Sequence, residues 1–292
     1  MALTLRAVAG LTTGQIARSF LVAESTVAQR IVRAKRKIVE ARIPYRVPRG
    51  DQLRERLDEV LAVLYLMFNE GYLSSGPEVP ERRDLARDAE WLAALLVRLL
   101  PSEPEPLGLL GLMRMHLART EARFDSAGQL VLLEHQDRLL WDSAAIAAAG
   151  RLIARAAQMR RAGPYQLQAA IVAVHSESPS WAETDWRQIV GLYELLLEQL
   201  DTPVVRLNRA IAIRWVAGPA AALAELDAIA PELAGYHLLH ASRAVMLRAM
   251  NRSEESHAAN RLALEMTANP AERALLEGRL AGESGRPSAA LP

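Results

Sequence analysis

Ser25, Thr26, Gln29, Arg30, Arg33, Lys35, Arg36 and Lys37 crowd hydrogen-bond donors and fixed positive charge into one short stretch. Such a set does not activate a nucleophile; it recognises a polyanion. Guanidinium and ammonium groups neutralise phosphates with an affinity that falls as salt rises, while hydroxyl and amide side chains reach base edges in a groove. Ser25, Thr26 and Gln29 are the candidates for base contact. Arg30, Arg33, Lys35, Arg36 and Lys37 are the candidates for the phosphate backbone, and Thr13 adds a hydroxyl ahead of them.

Other constellations are weaker. His237 and His240 lie one helical turn apart, but neither a third ligand nor an adjacent carboxylate motif accompanies them, so they read as structural rather than zinc-binding. Glu134, Asp137 and Asp142, and the pair Asn69 and Glu70, set polar groups in apolar surroundings, as a general acid or base requires. No glycine-rich phosphate loop, Ser-centred elbow or dinucleotide fingerprint stands beside them. Caps and loop-fixing hydrogen bonds are the expected use. The chain therefore reads as non-enzymatic, with no metal and no cofactor. Trp181, Trp186, Tyr193 and Trp215 read as core, with a peptide or ligand groove as the alternative.

The basic residues need a helix to space them and a second helix to hold it. Thr13 to Phe20 supplies the support, with Thr12 or Thr13 as N-cap and Ile16, Ala17 and Phe20 at core spacing. A second helix starting near Glu24 and Ser25 is expected to bury Val27, Ile31, Ala34 and Ile38, leaving Gln29, Arg30, Arg33, Arg36 and Lys37 off that stripe. Two short helices meeting at a tight turn, the second basic, make a helix-turn-helix.

Charge is unevenly spread. Residues 1–49 hold ten Lys and Arg against Glu24 and Glu40, a net of +8; the remainder holds 25 basic and 32 acidic residues, −7, which gives the chain its +1. The only two lysines, Lys35 and Lys37, fall in the basic helix. An acidic remainder repels a nucleic acid, so contact belongs to the N-terminal end.

At 292 residues and 51% hydrophobic content the chain can bury a sizeable core, and with only 5% aromatics that core must rest on Leu, Ala, Ile and Val. All-α is the expected class. The absence of cysteine excludes disulfides and thiolate chemistry and agrees with a reducing compartment, taken as the cytoplasm. Arg6 interrupts the apolar opening, no basic segment precedes it, and the apolar runs Leu92–Leu100 and Leu107–Met115 are broken by Arg98 and Arg114, so neither a signal peptide nor a membrane span is expected.

Ile43 to Gly50, with two prolines and a glycine, reads as a linker (43–50) between a unit at 1–42 and a helical body. Helices are expected over Gln52–Phe68, ending at Asn69-Glu70-Gly71-Tyr72 and the loop SSGPEVP, then Arg82–Leu100 with Leu85, Ala89, Leu92, Leu96 and Leu99 on one face, and Leu107–Ala122. The stretch Leu130–Asp142 reads as extended, then helical. Ser143–Ala162 and Tyr165–His175 complete a domain at 51–183, divided by Gly163-Pro164. From 184 to 281 the expected helices are Thr184–Leu200, Val204–Ala217, Pro219–Ile229, Glu232–Met250, Ser253–Thr267 and Pro270–Leu280. Small residues at Ala241, Ala244, Ala258, Ala259 and Ala263 fit crossings of the tetratricopeptide kind. Residues 282–292, rich in Gly, Ser, Pro and Ala, read as a disordered tail.

Gly10-Leu11, Ile16-Ala17, Thr26-Val27, Arg30 and Arg33-Ala34-Lys35 resemble region 4 of bacterial RNA polymerase sigma factors, in particular the extracytoplasmic-function type of the sigma-70 family. FNEGY at Phe68–Tyr72, EHQDRLLWD at Glu134–Asp142, TDWRQIVGLY at Thr184–Tyr193 and LNRAIA at Leu207–Ala212 are similar to the subgroup with a long helical C-terminal extension. The resemblance implies that residues 1–42 read the promoter −35 element and dock on the β flap of core RNA polymerase, and that residues 51–281 regulate activity or bind a protein partner. Region 2, which in that family melts the −10 element, is not among these residues, and region 4 looks clipped at its front. The expectation is a truncated or mis-started sigma factor that does not open promoters alone. A ligand-sensing helix-turn-helix regulator, or a tetratricopeptide-type scaffold without sigma activity, is the alternative.

Overall fold

A computed structural model of the chain describes residues 1–44, 51–73 and 80–284. Among these residues there are fourteen α-helices and no strand, so the all-α expectation holds; an isolated bridge pairs Phe124 with Leu130.

The first three helices are α1 (Ala2–Ala7), α2 (Thr13–Ser19) and α3 (Glu24–Glu40). Thr12 starts α2 through a reciprocal pair: its hydroxyl accepts from Gln15 N–H, and the Gln15 side chain accepts from Thr12 N–H at 2.6 Å. Leu21, at φ +51°, turns the chain between α2 and α3 in the left-handed region, and Val22 N–H closes the turn on Ala17 O. Leu5, Leu11, Ile16, Ala17, Val27 and Ile31 form the small core beneath. Ile38 does not join it: Ala34 is half-buried and Ile38 is 40% exposed, because α3 outruns α1 and α2 and its last turns have nothing to pack on.

After α4 (Asp51–Glu55), α5 (Leu57–Leu73) and α6 (Pro80–Leu99) pack as a pair, α5 presenting Leu61, Leu64, Met67 and Phe68 to Ala86, Ala89 and Ala93 of α6. Two expectations are corrected here. The chain breaks at Arg56 and then stays helical through Asn69–Tyr72, since Phe68 and Tyr72, one turn apart, pack on the same neighbours. Alanines rather than leucines centre the buried face of α6, which allows close approach, and Leu99 is left 64% exposed.

The central helix is α7 (Pro104–Leu117), apolar on every side and buried nearly throughout. A Cβ on Gly108 would stand 2.7 Å from the Gln166 backbone nitrogen, so α7 and α9 (Pro164–Glu177) cross with their backbones almost touching, as only glycine permits. The Glu105 carboxylate seals that crossing by accepting from Tyr165 N–H, Gln166 N–H and Gln166 Nε2. α8 (Ser143–Gln158) packs on both α7 and α9.

The expected helix before α8 is absent. Leu133–His135 and Arg138–Leu140 are single 3-10 turns, because Arg138 Nη1 donates to the carbonyls of His175 (2.8 Å) and Ser178 (2.6 Å) and ties the loop to the end of α9. Beyond it α10 (Trp186–Gln199), α11 (Pro203–Ala228), α12 (His237–Ala249), α13 (Ser253–Met266) and α14 (Pro270–Ser284) each pack on the next. Gly218, at φ +87°, kinks α11 before Pro219 and divides it where the sequence does. Residues 230–236 are turns rather than the first turns of α12; Leu233 is buried and Tyr236 half-buried in the same core, which explains the misleading periodicity. Of the expected tail, 282–284 belong to α14 and 285–292 lie outside the described residues, as do 45–50 of the linker and 74–79 of the loop.

Candidate nucleic-acid interface

α3 rests on α1 and α2 through Val27 and Ile31 and turns its other faces outward. Ser25, Gln29, Arg30, Arg33, Lys35, Arg36 and Lys37 are all exposed, and Thr26 is half-buried. With 3.6 residues per turn, Ser25, Gln29 and Arg36 lie opposite the buried stripe, and Thr26, Arg30, Arg33 and Lys37 follow along one flank. Lys35 falls on the other flank, beside the exposed Val32 and Val39. One surface cannot seat all nine predicted residues at once.

Local bonds hold part of this face. Arg33 Nε donates weakly to Gln29 O at 3.4 Å, and Arg36 lies 3.6 Å from Glu40, an exposed pair that a phosphate can displace at small cost. Thr13 donates its hydroxyl to Glu24, joining the start of α2 to the start of α3. That proton is not free for a phosphate. Sequence reasoning missed Glu24 as the latch; an acidic residue in the first turn of an otherwise basic helix was its signal.

The supporting side of the unit is covered. Val63 and Leu66 of α5, with Leu85 of α6, pack against the core of α1 to α3. Glu70, itself buried, accepts from Gln15 Nε2 at 2.9 Å and pairs with Arg18 at 3.5 Å. The carboxylate considered for catalysis is thus a clasp between the basic unit and the helical body. Glu70→Ala is expected to cost about 1–3 kcal/mol by stranding Gln15 in a half-buried site, as measured by denaturant unfolding. A loss smaller than about 0.5 kcal/mol means that the clasp is incidental.

The remaining candidates serve as braces. Asp137 accepts from Leu139 N–H and Asp142 caps α8 through Ala145 N–H, both at close range, while Glu134 lies 3.6 Å from His135. His237 Nε2 sits 3.0 Å from Glu272, and His240 Nε2 meets Ala234 O at 2.9 Å, so the two imidazoles do not converge. No group of three metal-ligating side chains occurs among the described residues. Trp181, Trp186 and Trp215 cluster with His175 at centroid separations of 4.8–5.7 Å, and Tyr193 packs with Trp186 against the core formed by Leu167, Ile171, Ile189 and Leu196.

Comparison with known proteins meets this geometry at the same residues: the family described as sigma-70, region 4 matches 1–38. Residues 1–38 are thus similar to sigma-70 region 4. A family of unknown function (DUF6596) matches residues 56–157, the stretch from α5 to α8. An uncharacterized protein of Rhizobium meliloti (strain 1021) is 43% identical over 281 residues, which cover 96% of this chain and 66% of that protein. The chain thus spans about two thirds of that relative's length. The region 4 match covers the basic end of the molecule, from α1 to near the end of α3. No described helix is long and apolar enough to cross a membrane.

Proposed function

We propose that this chain works in transcription initiation as a sigma factor, with residues 1–42 reading the promoter −35 element and attaching to core RNA polymerase, residues 43–50 linking them, and a helical extension at 51–183 and 184–281 setting when they do so. The observation that carries the reading is the outward face of α3, where Ser25, Gln29, Arg30, Arg33 and Arg36 stand exposed in a region 4 domain whose rear is braced on α5. Base edges fall to Ser25, Thr26 and Gln29, phosphates to Arg30, Arg33, Arg36 and Lys37, and Lys35 and Thr13 contribute at the margins. No catalytic step is assigned. The cytoplasm is the proposed compartment.

Anisotropy titration of a promoter duplex at several salt concentrations tests it. Arg30→Ala and Arg33→Ala are each expected to lower the slope of log K against log salt by about one, weakening all sequences alike. Gln29→Ala is expected to relax sequence preference with little change in slope. Capture of core RNA polymerase by the full chain tests the attachment. Unchanged slopes, or failure to capture polymerase, leave a scaffold or a conventional regulator in its place.

A further inference from the structure

On α2, Ile16 and Ala17 turn inward, and Gly14, Gln15 and Arg18 share the opposite side. Arg18 is the one basic residue of that helix. A Cβ on Gly14 would stand 3.6 Å from a Glu24 carboxylate oxygen and 3.9 Å from Arg18 Nη1. The guanidinium therefore lies back along the first turn of α2, close to the first turn of α3. In a helix-turn-helix the leading helix crosses the phosphate backbone and the second enters the groove by its N-terminal residues, so a cation beside both N-termini is placed for a phosphate. Glu24, the acid at this edge, accepts the Thr13 hydroxyl. Arg18 is engaged elsewhere: its Nη2 lies 3.5 Å from Glu70 of α5.

The two partners of that pair are unlike. The Arg18 side chain is 65% exposed and can swing, whereas Glu70 is 8% exposed and fixed, the same oxygen accepting from Gln15 Nε2 at 2.9 Å. Leu66 and Val63, one and two turns earlier on α5, pack on the core of α1 to α3 and hold Glu70 at this edge. A carboxylate so placed cannot follow Arg18 outward. For Arg18 to reach a phosphate the pair must part, and a buried carboxylate deprived of a cation costs more than parting an exposed pair such as Arg36 and Glu40.

We propose that Glu70 is a built-in restraint on DNA binding, withholding Arg18 from the phosphate backbone so that the seating of α5 on α2 sets the affinity of the N-terminal unit. The restraint rests on the reading of residues 1–42 as the DNA-binding unit. Glu70 acts through Arg18 and touches no nucleic acid itself. Movement of α5 off α2 then adds a phosphate contact without altering any residue of α3.

Binding of the full chain to a mixed-sequence DNA duplex is followed by anisotropy at several salt concentrations, since phosphate contacts need no particular sequence. Glu70→Gln keeps the shape and an acceptor for Gln15 while removing the charge. It is expected to tighten binding about three- to tenfold at low salt and to steepen the slope of log K against log salt by about one, the mark of one added phosphate contact. Arg18→Ala alone is expected to leave the slope unmoved, and in the double variant to abolish the gain of Glu70→Gln. An unchanged slope in Glu70→Gln overturns the restraint. So does a gain that survives Arg18→Ala, which would assign it to the loss of a negative charge at large. Arg18→Ala lowering the wild-type slope by about one also overturns it, because Arg18 would then already hold a phosphate; that result needs no change at the buried site and stands even if Glu70→Gln fails to fold. Arg30→Ala in the same series separates the two failures: a lower slope there without a response to Glu70→Gln removes the restraint alone, and no change there removes the reading beneath it.

Discussion

Phe68→Ala is expected to lower the unfolding free energy by about 3–5 kcal/mol, as measured by urea denaturation. Phe68 is fully buried, stacks on Tyr72 at 5.4 Å and meets His116 at 6.1 Å. Truncation leaves a cavity that cannot close, because Tyr72 is held in turn by the Arg123 guanidinium 3.9 Å over its ring, and Arg123 is pinned to the Tyr72 carbonyl. The wall of the cavity is thus a rigid stack rather than loose side chains. Phe68→Leu keeps most of the volume and is expected to cost roughly 1–2 kcal/mol. The effect reaches the basic N-terminal unit. α5 carries Phe68 toward the body and Val63, Leu66 and Glu70 toward α1 and α2, so amides of α2 and α3 should lose exchange protection together with those of α5. A loss under about 1 kcal/mol, or α2 and α3 keeping full protection while α5 opens, would show that the two cores are not coupled through this helix.

That coupling marks the boundary of what the sequence discloses. A threonine cap announces the start of α2 because capping is local, and Val27 and Ile31 announce the buried side of α3 because periodicity is local. Periodicity names a face but not whether anything lies opposite, so Ile38 reads like Ile31 until the shortness of α1 and α2 is seen. Likewise Leu233 and Tyr236 keep a helical rhythm inside turns because they fill the same core as α12. The exposed residues of α3 were legible as a set, but their division between two flanks, with Lys35 apart, needs the helix phase fixed by its contacts. Glu70 reads as a possible acid; it is a clasp on Gln15, 55 residues away. Arg138 sits in an ordinary-looking helical pattern, yet its bonds to carbonyls 37 and 40 residues onward replace that helix with a turn.

Acidification from pH 6.5 toward pH 4 is expected to destabilise the fold steeply, and two histidines account for it. Burial, with Arg119 and Arg138 next to it, pushes His175 down to about 4, and burial, with Arg119 and Arg123, holds His116 well below its ordinary value. Geometry agrees for His116: its Nδ1 lies 2.9 Å from Arg119 Nη2, a group that can only donate, so the ring must be an uncharged acceptor there. In the unfolded chain both imidazoles take up a proton near pH 6.5. Between the two pKa values the unfolded state binds more protons, so stability is fully present above about pH 6.5 and is lost as pH falls through the folded values, about 3 kcal/mol for His175 by pH 4. His116 adds in the same direction. Glu105 opposes, since burial raises its carboxyl and favours the folded state as pH falls, but three hydrogen bonds that hold its charged form limit the effect. Thermal midpoints of the wild type and of His175→Gln and His116→Gln, measured from pH 7 to pH 4.5, check this. Each variant is expected to start less stable at pH 7 and to lose less on acidification, with the double variant nearly flat above pH 5. A wild-type midpoint that does not move across this range, or a slope the substitutions leave intact, would mean that the arginine cluster admits water and the histidines titrate normally.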